Sequence, residues 1–144
     1  MEILNRKAKY DYFIYDTYEC GIVLKGSEIK SIREGKANLK DSYCIVKNNE
    51  LFLLNMFISK YENSNIFNHE ETRTRKLLAH KKEIYKIRDK INIDGYTLVP
   101  IKLYIKNGIA KLLIGVAKGK KNYDKKEAIK QRDIDKYNKK TMKY

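Results

Sequence analysis

The sequence predicts a mainly β chain of the α+β type: a small closed antiparallel barrel of about six strands, short flanking helices and a basic C-terminal tail. Three observations predict it. Short runs of aromatic and β-branched residues alternate with turn signals. The dipeptide Asn107-Gly108 specifies a hairpin whose register can be read from its flanks. Past residue 117 the apolar content collapses while positive charge rises.

Residues 10–15 and 19–24 read as two strands joined by a turn at 16–18. Ser27 is placed to cap a short helix carrying Ile29 and Ile32, with Gly35 as its terminator. Residues 43–46 and 51–54 flank Asn48-Asn49 as a second hairpin, and 56–61 reads as a further strand. A polar loop is expected over 63–72. Leu77, Ile84, Ile87 and Ile91 recur at helical spacing and predict a helix over 75–91. His80 with Glu83 could restart it after a break near Ala79, and Asp94-Gly95 ends it. A two-residue turn at Asn107-Gly108 sets Ile105 against Ala110, Leu103 against Leu112 and Ile101 against Ile114. The opposite face then carries Lys102, Tyr104, Lys106 and Lys111.

The 144 residues suffice for one domain and a tail. Thirty-two Lys and Arg against 18 Asp and Glu give a net charge of +14, so a polyanionic partner is expected. Half of that excess lies in residues 118–144, where only Ile129 and Ile134 come from the Leu, Ile, Val and Phe set. The expected boundary lies near residues 116–119. A folded body spans 1–117, and the tail, 118–144, is expected to be disordered alone. No apolar run approaches the roughly 18 residues of a membrane span, and the N-terminus lacks the apolar stretch of a signal peptide. A cytoplasmic, soluble protein without membrane or DNA partners is expected. Cys20 and Cys44 are the only thiols, too few for a disulfide framework or a cysteine zinc site.

No catalytic arrangement is legible. His69 and His80 are the only histidines. Asp11, Asp16 and Glu19 are close enough in sequence to suggest a metal-dependent nuclease, but turn and strand-edge carboxylates explain them better. Gly115 and Gly119 bracket a weak phosphate-loop pattern. Three basic clusters are present: Asn5, Arg6, Lys7 and Lys9; Arg73, Arg75 and Lys76; and Lys118, Lys120 and Lys121. Each has aromatic, amide or apolar neighbours suited to unpaired bases, beside cations suited to phosphates. The residues therefore point to RNA or single-stranded nucleic acid, with no cofactor and no metal.

Longer stretches carry a resemblance. They are Asn5-Arg6-Lys7-Ala8 with Tyr12-Phe13-Ile14, then residues 26–43, then Thr72-Arg73-Thr74-Arg75-Lys76-Leu77-Leu78, then residues 95–100 and 114–125. Together these resemble, in order and over almost the whole chain, the small protein B family of SsrA-binding proteins. The resemblance implies an oligonucleotide-binding (OB) barrel. It implies a non-enzymatic adaptor that binds the tRNA-like domain of transfer-messenger RNA (tmRNA) and brings it to stalled ribosomes, where the nascent peptide is tagged for proteolysis. It implies a tail that becomes helical in the message channel and signals to the decoding centre, and elongation factor Tu as a partner on alanyl-tmRNA. Asn5, Glu19 and Leu78 match positions that hold the RNA. Tyr123 matches a stacking position, and Asp124, Lys125 and Lys126 match an Asp-Lys-Arg motif. Lys130 and Arg132 would face ribosomal phosphate, and Met142 matches an apolar position. Two departures stand out: Lys126 in place of Arg, which loses a planar fork, and Ile134 where many members carry Trp.

Overall fold

The computed structural model describes residues 2–61 and 68–120. In chain order these form β1 (Glu2–Leu4), α1 (Arg6–Asp11), β2 (Tyr12–Ile22), α2 (Gly26–Arg33), β3 (Ala37–Asn38) and β4 (Tyr43–Lys47). There follow β5 (Glu50–Leu54), β6 (Phe57–Ile58), β7 (Arg75–Leu78), α3 (Lys81–Asn92), β8 (Thr97–Lys106) and β9 (Ile109–Gly119). One antiparallel sheet has the order β1-β8-β9-β2-β7-β5-β4, and β3 pairs with β6 as a separate ribbon. The expected mainly β character holds. In place of about six strands, the sheet has seven, and its hydrogen-bonded ladder ends at β1 and β4.

Both hairpins form where dipeptides supply left-handed residues. Asn107 and Gly108 have φ of 53° and 78°, and Asn48 and Asn49 have 54° and 61°. Ile105 faces Ala110 and Leu103 faces Leu112, as the sequence predicts. The third expected pair does not form. The register shifts between Pro100 and Lys102, so Pro100 faces Ile114 and Ile101 is left out of the ladder. Proline has no N–H to donate, and a bulge beside it removes that demand.

Residues 10–24 also differ from expectation. Tyr10 and Asp11 end α1, and the predicted turn at 16–18 lies inside one long strand, β2. Its irregularity is a register shift between Ile14 and Asp16, which leaves Tyr15 unpaired. A bulge absorbs the exposed Tyr15, Asp16 and Thr17 without ending the strand.

The predicted helix over 75–91 splits. Residues Arg75 and Leu77 are buried while Lys76 and Leu78 are exposed, a period of two that belongs to β7. Only Ile84, Ile87 and Ile91 share the buried side of α3. The break falls at Ala79, as expected, but His80 makes no side-chain capping bond. Ser27 likewise does not cap α2. Lys25 occupies that position, and its N–H donates to the Glu28 carboxylate at 2.7 Å. The expected strand over 56–61 is reduced to the two residues that β3 can pair. Of the polar loop, residues 68–72 contain no helix or strand, and 62–67 lie outside the described residues.

The main core lies between the sheet and helices α2 and α3, around Ile32, Leu51, Leu53, Leu77, Ile87, Leu103 and Leu112. A second, smaller cluster sits on the other side. There Ala8 of α1 packs on Val99 and Ala117, with Tyr12, Ile14 and the bulged Ile101 around them. A Cβ on Gly115 would stand 2.9 Å from Ile101 and 3.0 Å from Ile14, so that glycine is a packing requirement rather than part of a phosphate loop. Strand β9 continues to Gly119, two residues past the expected end of the body.

Candidate nucleic-acid interface

In a sheet, residues two apart on a strand and directly paired across strands share a face. The ladder therefore places Leu78, Gly21, Lys111, Tyr104 and Glu2 in one row across β7, β2, β9, β8 and β1. The next row on that face holds Glu19, Leu113, Lys102 and Leu4. Beyond it, α1 crosses the sheet and opens a groove of about 630 Å³. Arg6 and Lys9 line one wall of this groove, Lys102 and Lys120 contribute further cations, and Tyr12 and Phe13 supply rings. Lys120 Nζ stands 5.2 Å from the Phe13 ring centroid. Cations beside rings and exposed aliphatic side chains suit phosphates flanking unpaired bases.

Glu19 and Glu2 are acids on this face. Glu19 Oε2 accepts a hydrogen bond from the Tyr104 hydroxyl and lies 3.7 Å from Lys106 Nζ. The Tyr104 bond, with Lys106 and Lys111 nearby, holds the Glu19 carboxyl below its ordinary value. Burial and the Glu19 charge push the Tyr104 phenol up to about 12. Lys102 pairs with Glu2 at 3.1 Å and lies over the Tyr104 ring.

The first basic cluster divides. Asn5 donates from Nδ2 to the Pro100 carbonyl at 2.7 Å, and its backbone N–H donates to Ile101 O at 2.8 Å. Asn5 thus ties α1 to the bulge in β8 and shapes the groove. Arg6, Lys7 and Lys9 are exposed on α1, and Arg6 and Lys9 face the groove.

In the second cluster the structure corrects the assignment of Arg75. Arg75 is completely buried and has no surface to offer a phosphate. Its Nε donates to Glu28 Oε2 at 2.7 Å, and its other nitrogens reach the carbonyls of Met56 and Glu71. Arg73 Nη2 donates to Glu28 Oε1 at 2.6 Å and to the Val23 carbonyl. Burial alone would raise the Glu28 pKa, but Arg73, the Lys25 N–H and Arg75 hold it below its ordinary value. A buried acid needs such partners, and these two arginines are the ones within reach. Lys76 is exposed and paired with Glu50 at 2.9 Å. Leu78, by contrast, is 51% exposed on β7 rather than packed inside a helix.

In the third cluster, Lys118 Nζ lies 4.8 Å from the Tyr96 ring, away from the groove that Lys120 lines. Lys121, Tyr123, Asp124, Lys125, Lys126, Lys130, Arg132 and Met142 lie outside the described residues. Lys102, which lies outside the three basic clusters, also lines the groove, and its alternation with Tyr104 and Lys106 along β8 is the sequence signal for it.

Among the described residues, no three His, Cys, Asp or Glu side chains converge on a metal position, so Asp11, Asp16 and Glu19 form no such group. His69 is buried, with Nδ1 2.8 Å from Ser27 Oγ and Nε2 2.8 Å from the Ile58 carbonyl. Burial, with Glu83 and Glu19 nearby, pushes the Cys20 thiol up to about 12, and burial raises Cys44 as well, so neither is a ready nucleophile. No described helix is long and apolar enough to cross a membrane.

A sheet face of this kind belongs to the class of β proteins that bind looped or single-stranded nucleic acid. The model of the SmpB protein family matches residues 2–144, and the chain belongs to that family. It is 60% identical over 129 residues to the SsrA-binding protein of Shouchella clausii, covering 90% of this chain and 83% of the relative. It is 56% identical over 139 residues to that of Enterococcus faecalis, covering 96% and 90%. A solved structure described as "tmRNA-SmpB: a journey to the center of the bacterial ribosome" contains a chain similar to this one. Its TM-score is 0.71 at 44% identity, over 90% of this chain and 94% of that chain.

Proposed function

We propose that this chain binds the tRNA-like domain of tmRNA through the face running from Leu78 through Glu19 to the α1 groove. In this reading it delivers tmRNA to stalled ribosomes in trans-translation, and the nascent peptide is tagged for proteolysis. The observation that carries the reading is a convergence. Glu19 and Leu78 are far apart in sequence yet share one sheet face, and Asn5 shapes the groove at its end. Family membership and the kinship to a tmRNA–SmpB chain support the same partner.

Residues 118–144 act, in this proposal, in the message channel and at the decoding centre. Tyr123 stacks, Asp124, Lys125 and Lys126 make directional contacts, and Lys130 and Arg132 face phosphate. Elongation factor Tu engages the same alanyl-tmRNA. The protein works as a cytoplasmic RNA adaptor without a catalytic step, a cofactor or a DNA partner. The sheet closes as an OB barrel, a reading supported by β4, at one edge, lying against β8.

Replacing Asp124 and Lys125 by Ala removes one charge of each sign. Tagging of stalled peptides should fail while tmRNA binding by gel shift stays near wild type. Normal tagging would refute specific tail contacts, and lost tmRNA binding would refute the division of labour between body and tail.

A further inference from the structure

The Glu19 carboxylate is held at one oxygen and open at the other. Oε2 takes both the Tyr104 hydrogen bond and the Lys106 ion pair. Oε1 takes no hydrogen bond from any described residue. An acid on a cationic face repels phosphate, so its value in recognition must lie with a donor of hydrogen bonds.

The holder is unusual in its placement. Tyr104 is paired with Lys111, which is paired with Gly21, so Tyr104 stands two strands from β2. Its phenol reaches diagonally across β9 to the acid. A phenol donates one directional hydrogen bond, which fixes the carboxylate's orientation more closely than the 3.7 Å ion pair with Lys106 does. A carboxylate on an exposed strand otherwise rotates freely, and fixing it before binding removes an ordering cost. Beside it, Gly21 leaves the sheet surface without a side chain, flanked by the exposed Leu78. The Leu78 side chain leans over Gly21, within 3.4 Å of where a Cβ would stand, and presents an apolar surface beside Glu19 against which a base could pack.

We propose that Tyr104 is a positioning residue for RNA recognition: it orients Glu19 so that Oε1 accepts a hydrogen bond from the exocyclic amino group of an unpaired base. The inference rests on the proposed RNA-binding face and adds a residue and a donor class to it. Tyr104 itself need not touch RNA.

The test is a double-mutant cycle on the full chain with the isolated tRNA-like domain as probe. Tyr104→Phe keeps the ring and removes the hydroxyl. It and Glu19→Gln should each weaken binding about tenfold, and the double variant should bind no more weakly than Glu19→Gln alone. The Glu19 carboxyl, followed by carbon NMR in the free protein, should titrate at higher pH in Tyr104→Phe, while thermal melting is unchanged. Wild-type affinity in Tyr104→Phe with loss in Glu19→Gln would overturn the positioning role and leave the face intact. Additive losses would do the same. Wild-type affinity in Glu19→Gln would overturn both the proposal and the assignment of Glu19 to the face. Disappearance of the Glu19 effect on 2′-deoxy RNA would overturn the amino group as donor.

Discussion

Glu28 and Glu19 are both glutamates beside basic residues, and both are held below the ordinary carboxyl range. Their surroundings differ completely. Glu28 is buried, and both of its oxygens are taken by Arg73, Arg75 and the Lys25 N–H. Glu19 is on the surface with one oxygen open. The lesson is that charge identity does not separate structural groups from recognition groups; saturation does. A carboxylate whose lone pairs are all engaged inside the fold holds α2 to the strand β7. One with an open oxygen on a cationic face has something left to give a ligand.

The sharpest way to break this contrast is at Arg75. Replacing it by Ala leaves Glu28 buried with only Arg73 and the Lys25 N–H as partners, and should cost about 3–5 kcal/mol in urea unfolding. RNA affinity, measured where the variant is still folded, should stay near wild type. A small stability loss with a large affinity loss would return Arg75 to the RNA contacts.

The same pair gives a pH dependence with a definite sign. The folded pKa of Glu28 lies below its ordinary 4.5, so the unfolded chain binds more protons in the window between the two. Its stabilisation is present above about pH 4.5 and is lost as pH falls through the folded value. Urea midpoints measured from pH 6 downward should fall more steeply in wild type than in Glu28→Gln. Parallel curves would remove Glu28 from the account of acid unfolding.

On the surface side, Arg6→Ala with Lys9→Ala should leave melting unchanged and lower the slope of log affinity against log salt. Each lost phosphate contact should take away about 0.7–0.9 of that slope. A small effect on stability is expected for Leu78→Ala. Leu78 is half exposed, so unfolding should change by under about 0.5 kcal/mol while RNA affinity still drops.

Local pattern made much of the fold legible. Asn107-Gly108 and Asn48-Asn49 set two hairpins because their turn chemistry is decided by the residues themselves. Leu77 misled because a single apolar residue fits both a strand of period two and a helix of period 3.6; the neighbours Arg75 and Lys76 gave no sign of which would be buried. Arg75 misled for a related reason. A cation in a basic run reads as surface until its partner is known, and Glu28 lies 47 residues away. Pro100 was the available warning of the bulge that displaced Ile101. Glu19 and Leu78 entered the site through resemblance, whereas the contact of Tyr104 with Glu19, 85 residues away, could be found only from the fold.

In the proposed complex one face, from Leu78 through Glu19 to the α1 groove, meets the RNA. With 26 lysines spread over the chain, lysine acetylation footprinting with and without the tRNA-like domain tests it directly. Lys9, Lys102, Lys111 and Lys120 should be protected, while Lys40 and the exposed α3 lysines Lys82 and Lys86 should react as in the free protein. Protection centred on Lys40, Lys82 and Lys86, with Lys9 and Lys111 fully reactive, would contradict the claim.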